Sequence, residues 1–184
     1  MVHCFRWGAA CLSFLVVFCL LALPCKALEQ PANILVFGDS LSAGYGLANG
    51  ESWPDLLQQK LKQEGFNYQV QNESISGETS TGGLARLPKA LEKHQPRIVI
   101  LELGANDGLR GQSLKRLHSQ LQNMVNLIKK QQSQLLLLGI KIPPNYGKRY
   151  SESFEQVFAR IATENNVAFE PFFLNGVALN KALM

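Results

Sequence analysis

Beyond residue 27 the chain alternates between two hydrophobic patterns. Ile34-Leu35-Val36-Phe37 runs unbroken into Gly38, Ile98-Val99-Ile100-Leu101 forms a second run, and Leu135 to Leu138 with Ile140 is closed by Pro143-Pro144. Short runs without a polar face suit strands covered on both sides, as in a parallel sheet. Tyr68 and Val70 alternate with polar residues in a more exposed strand, and Val167-Ala168-Phe169 marks a short fifth one.

Helical patterns separate these strands. Ser52 and Pro54 read as the cap and first turn of a helix that places Trp53, Leu56, Leu57 and Leu61 on one face. Leu84, Leu87 and Leu91 form a second stripe whose start Pro88 obscures. Ser113 can cap a long helix in which Leu114, Leu117, Leu121, Val125 and Ile128 keep the helical period. Phe154, Val157, Phe158 and Ile161 mark another. The alternation predicts an α/β fold: one domain with a five-stranded parallel sheet and helices on both faces. Ligands of such sheets bind at the carboxyl ends of the strands, so the loops after strands one, two and three carry the expected chemistry.

Composition narrows the function classes. With 46% hydrophobic and 17% charged residues, the 184-residue chain is neither disordered nor collagen-like. Its four cysteines, Cys4, Cys11, Cys19 and Cys25, all lie in the first 25 residues, so the body holds no disulfide framework and no cysteine zinc site. Three histidines, His3, His94 and His118, are too few for a His-rich metal site. Arg6, an apolar run from Trp7 to Leu23, and Cys25-Lys26-Ala27 describe a secretory signal peptide over residues 1–27, cut after Ala27. Its removal leaves residues 28–184 as the mature domain, nearly neutral, with no dense basic run for nucleic acid and no stable membrane span.

Three loops offer reactive groups. After strand one, Gly38-Asp39-Ser40-Leu41-Ser42 can project a serine hydroxyl into the crevice, while Asp39 supports the turn by bonding local backbone. After strand two, Gly77 lets a backbone N–H approach a ligand closely. After strand three, in Gly104-Ala105-Asn106-Asp107-Gly108, the Asn106 carboxamide can donate a hydrogen bond into the same crevice. Singly, each suits an ordinary turn or cap. Together, the Ser40 N–H, the Gly77 N–H and the Asn106 side chain make an oxyanion hole around a nucleophile, where losing one donor costs about 3–4 kcal/mol of transition-state stabilisation.

These blocks resemble the GDSL, or SGNH, hydrolases. Gly38 to Tyr45, Gly83 to Pro88, Asn106 to Gly111 and Asn145-Tyr146-Gly147 are similar to the periplasmic thioesterase/arylesterase/lysophospholipase branch of that family, over roughly residues 30–184. The resemblance implies a flavodoxin-like three-layer sandwich, a Ser40 nucleophile, oxyanion donors at Ser40, Gly77 and Asn106, and no metal or organic cofactor. It implies small-molecule acyl ester and thioester substrates and a periplasmic location. The loop from Gly108 to Ser113 corresponds to one that contacts the acyl chain, which makes Gly108, Leu109 and Arg110 substrate-binding candidates.

The family takes its catalytic base from an Asp-x-x-His pair near the C-terminus. The aspartates here are Asp39, Asp55 and Asp107, and none is followed three residues later by His. His94 reads as a solvated loop residue at the amino edge of strand three, and His118 as a partly exposed helix residue. The tail from Pro171 to Met184 follows the family pattern and stops short of that pair. The expectation is therefore a domain truncated at its C-terminus, lacking its final helix and impaired in catalysis. The alternatives are a carbohydrate or aryl deacetylase of the same superfamily and a non-catalytic lipid-binding relic. A flavodoxin-like electron carrier fits less well, because no Gly-rich phosphate loop follows strand one.

Overall fold

Each of the five apolar or alternating runs becomes a strand in the computed structural model, which describes residues 30–178. The strands are β1 Ala32–Gly38, β2 Tyr68–Asn72, β3 Ile98–Glu102, β4 Gln134–Leu138 and β5 Ala168–Glu170. All pair in parallel, in the order β2-β1-β3-β4-β5. After β2 the chain crosses back over β1 to lay down β3 on its other side. The two connections leave in opposite directions and open a crevice at the carboxyl ends of β1 and β3.

The helices are α1 Ser40–Ala43, α2 Trp53–Gln63, α3 Ser80–His94, α4 Ala105–Leu109, α5 Leu114–Lys130 and α6 Lys148–Asn165. Side-chain caps start three of them: the hydroxyls of Ser52 and Ser113, as the sequence suggests, and of Thr79, which it did not mark, accept from the N–H groups of Asp55, Arg116 and Gly82. Ile34, Val36, Ile100 and Leu138 point to one face of the sheet, where Trp53, Leu57 and Leu61 of α2 pack on them with Phe173. Leu35, Phe37, Val99, Leu101 and Leu137 point to the other face, under α3, α5 and α6. Phe154 and Phe158 of α6, both fully buried, meet edge to face at 5.2 Å and fill the centre of that layer. The result is the expected α/β three-layer architecture.

Three details depart from the periodicity. Leu56 is exposed: Trp53, Leu57 and Leu61 span a narrow arc of α2, and Leu56 lies about 60° to its side. α3 continues through Pro88, which sits on its exposed face and has no N–H to give the Leu84 carbonyl. Ile140 is buried but lies past the end of β4, where Gly139 N–H bonds the Glu170 carbonyl at 2.7 Å.

Every core residue named above lies in one compact unit that begins at Pro31. The signal-peptide reading of residues 1–27 and the expectation of a missing final helix fall outside the described residues. Among the described residues, no helix is long and apolar enough to cross a membrane.

Candidate active site

β1 delivers its last residue, Gly38, directly opposite Glu102 at the end of β3. A Cβ on Gly38 would lie 2.7 Å from both the Glu102 carbonyl oxygen and its Oε2, so only glycine lets the two strand ends close together here. The chain then turns into α1. Asp39 caps it by accepting the Leu41 N–H on Oδ1 at 3.1 Å, and Ser40, half-buried, opens the helix.

Asn106, in α4, joins the three loops. Its Nδ2 donates to Asp39 Oδ2 at 3.1 Å and to the Glu78 carbonyl at 2.9 Å. Those partners are the immediate neighbours of Ser40 and Gly77, so one carboxamide ties both to the β3 loop. Gly77 takes a left-handed turn at φ 78°, exposed to solvent with open space around it. The Arg110 guanidinium donates to the Gly77 carbonyl at 3.2 Å. The loop is braced from beneath as well. Glu78 receives Arg86 Nε at 2.7 Å, and Arg86 lies over the Phe37 ring. Asp107, buried, takes the Ser80 N–H at 2.8 Å and the Ser80 hydroxyl at 2.5 Å.

A second carboxyl lies below the turn. Glu102 is fully buried; its Oε2 accepts the Ser42 hydroxyl at 2.7 Å and the Asp39 N–H at 3.4 Å, while Oε1 is buried without a partner. Burial, reinforced by the nearby Asp39 charge, pushes the Glu102 carboxyl up to about 8 against the bonds from Ser42 and Asp39. Burial likewise raises Asp39, opposed by its bonds from Leu41 and Asn106 and abetted by the Asp107 charge. At neutral pH Glu102 thus keeps its proton, and an unpartnered oxygen costs a neutral carboxyl less than a carboxylate.

The structure brings Asp39, Ser40, Gly77 and Asn106 to one crevice. Of the residues assigned to substrate, Leu109 and Arg110 are exposed on its rim. Gly108 is buried against Phe154 and Ile142, and its carbonyl accepts the Tyr150 hydroxyl at 3.4 Å. His94 is not a solvated loop residue: it ends α3, its side chain is 11% exposed, and Nε2 meets Glu73 Oε1 at 2.6 Å. A helix that runs through Pro88 to His94 carries the ring onto the β2 loop. His118 is half-buried on α5, as expected, and pairs with Glu164 at 3.2 Å. Among the described residues, no cluster of three His, Cys, Asp or Glu side chains could hold a metal ion.

Sequence reasoning passed over Glu102, Asp107 and Ser80. A charge closing the apolar run of β3 was the available sign for Glu102. For Asp107 and Ser80 nothing local marked the pairing, since they lie 27 residues apart.

Residues 36–183 match the model of the GDSL-like Lipase/Acylhydrolase family, and the chain belongs to that family. It is 47% identical to Esterase TesA of Pseudomonas aeruginosa, over 83% of this chain and 76% of that protein. An arylesterase of Vibrio mimicus is 46% identical, over 90% and 81% of the two chains. The "Thioesterase 1/protease 1/lysophospholipase L1" of Escherichia coli is 43% identical, over 83% and 72%. Among solved structures, TesA superposes with a TM-score of 0.80 over 83% of this chain and 84% of that one. The SGNH-hydrolase family esterase AlinE4 superposes with a TM-score of 0.81 at 36% identity, over 86% and 85%. The protein is a hydrolase of the ester-cleaving class.

Proposed function

We propose that Ser40 is the nucleophile of a site that hydrolyses carboxylic esters and thioesters, among them aryl esters, lysophospholipids and fatty acyl-CoA. The observation that carries this reading is the Asn106 carboxamide bonded to Asp39 and Glu78, which gathers Ser40, Gly77 and Asn106 around one crevice. Ser40 Oγ attacks the carbonyl carbon, and the carbonyl oxygen takes up negative charge. The Ser40 and Gly77 N–H groups stabilise it, joined by the Asn106 amide once it exchanges its longer bond, to Asp39, for the oxyanion. Collapse expels the alcohol or thiol and leaves an acyl ester on Ser40, which water then cleaves by the same route.

Both steps require a base to take a proton. The 184 residues contain no Asp-x-x-His, and His94 and His118 are bonded to Glu73 and Glu164. A serine site working without a base falls back on the roughly 10³–10⁴-fold acceleration over water that its oxyanion hole and substrate binding supply. Leu109 supplies apolar contact for the acyl chain at the rim, beside Gly108 and Arg110. The names of the relatives support the range of substrates. The N-terminal 27 residues serve as a signal peptide, which places the mature domain in the periplasm.

Release of p-nitrophenolate from p-nitrophenyl esters by residues 28–184 tests the reading. A slow rate above solvent is expected, reduced about 10²-fold or more in Asn106→Ala, and raised by added imidazole more in the parent than in Ser40→Ala. Equal acceleration by imidazole in the parent and Ser40→Ala would overturn it.

A further inference from the structure

Eight large apolar side chains are exposed among the described residues, and their positions are not scattered. Leu41, Tyr45 and Leu47 follow β1, Ile75 follows β2, Leu109 follows β3 and Tyr146 follows β4. Because the strands are all parallel, these six lie on the segments that leave the strands at one edge of the sheet, around the mouth of the crevice. Tyr45 is 80% and Leu47 55% exposed. The other two are elsewhere: Leu56 in α2, and Phe66 at the opposite edge, before β2. Scattered exposed leucines need no explanation, but a ring of them at one end of a domain does.

Exposed cations gather on the segments that follow β3 and β4 at this edge. Arg110, Lys148 and Arg149 are exposed there, and the last two flank a groove of about 500 Å³ beside Tyr146. Lys148 has a loose contact with Glu152 at 3.8 Å, both largely in solvent. Of the acidic groups at this edge, Glu51 before α2 and Glu170 at the end of β5 are exposed, away from this cluster, and those between are neutralised or buried. Glu73 pairs with Lys93 and His94, Glu78 pairs with Arg86, and Glu102 and Asp107 are buried.

We propose that this rim docks the protein, mouth first, onto the surface of an anionic phospholipid bilayer. The apolar ring enters the boundary between headgroups and acyl chains, and Arg110, Lys148 and Arg149 face the lipid phosphates. A substrate with one acyl chain then reaches the crevice from the bilayer without crossing bulk water. The docking goes beyond the proposed hydrolysis and does not depend on it, since none of these side chains has to react.

Co-sedimentation of residues 28–184 carrying Ser40→Ala, a chain that retains the whole described core, tests the docking apart from turnover. The vesicles are phosphatidylcholine alone, or phosphatidylcholine with phosphatidylglycerol in about equal parts. Binding is expected to the mixed vesicles, weaker to phosphatidylcholine alone and weaker at high salt. Lys148→Gln with Arg149→Gln lowers partitioning about 25-fold, roughly fivefold for each cation. Tyr45→Ser with Leu47→Ser lowers it at least about tenfold, while Leu56→Ser with Phe66→Ser leaves it unchanged. Absence of binding, indifference to phosphatidylglycerol, or an equal loss in the Leu56/Phe66 control would each overturn the proposal. Circular dichroism confirms that each variant is folded, and the two exposed cations can be replaced without touching the core.

Discussion

Glu102→Gln isolates the buried carboxyl beneath the Ser40 turn. In the folded chain this group holds its proton up to about pH 8, whereas an unfolded glutamate releases it near 4.5. Between those values the folded state binds more protons than the unfolded state, so stability falls as pH rises through the window. Each unit of separation is worth about 1.4 kcal/mol, which makes the whole loss on the order of 3–5 kcal/mol. Glutamine removes that dependence. Its carbonyl can still accept from Ser42 and Asp39, while its amide enters the place of the unpartnered Oε1 at a pH-independent cost of about 1–3 kcal/mol. Urea unfolding of parent and variant, followed by circular dichroism at intervals from about pH 5 to pH 8, reads the difference. Contributions that both chains share cancel. The parent should lose several kcal/mol relative to the variant across the window, with the variant the less stable at the acid end. Parallel curves would refute a protonated Glu102.

Other consequences follow from the packing of the loops. Gly38→Ala drives a methyl against the Glu102 carbonyl and carboxyl, and its urea midpoint should fall by the equivalent of about 1–3 kcal/mol. Asp107→Asn weakens the hold on Ser80; amide exchange at residues 77 to 80 should quicken, with a stability loss of about 1–3 kcal/mol. Acidification should also loosen Glu73, whose carboxyl Lys93 and His94 hold below its ordinary value. The stability from that pair is present above about pH 4.5 and is lost below it, so Glu73→Gln should flatten the acid limb of the parent's unfolding curve.

How far the sequence carries can be judged element by element. The strands were legible because a strand buried on both faces can contain almost nothing but apolar residues, as β1 and β3 do. The caps at Ser52 and Ser113 were legible because their hydrogen bonds are local. Leu56 misled because membership of a hydrophobic stripe is decided by tens of degrees around the helix axis. The site divides in the same way. Ser40, Gly77 and Asn106 were visible as loop residues at strand ends. The bonds from Asn106 to Asp39 and Glu78 span 67 and 28 residues and were not. Glu102 escaped for a related reason: its importance comes from facing Gly38 across two strands, a matter of register rather than of any local motif. His94 changed character because α3 runs through the proline that seemed to interrupt it.

Whether Ser40 forms an acyl-enzyme is read directly by one mass measurement. Residues 28–184 are mixed with a p-nitrophenyl ester, with and without imidazole as an external base, and digested for mass spectrometry. The account predicts an acyl group on the peptide containing Ser40, formed faster with imidazole and absent in Ser40→Ala. No acyl group on that peptide, or an acyl group on another residue in its place, would contradict the nucleophile.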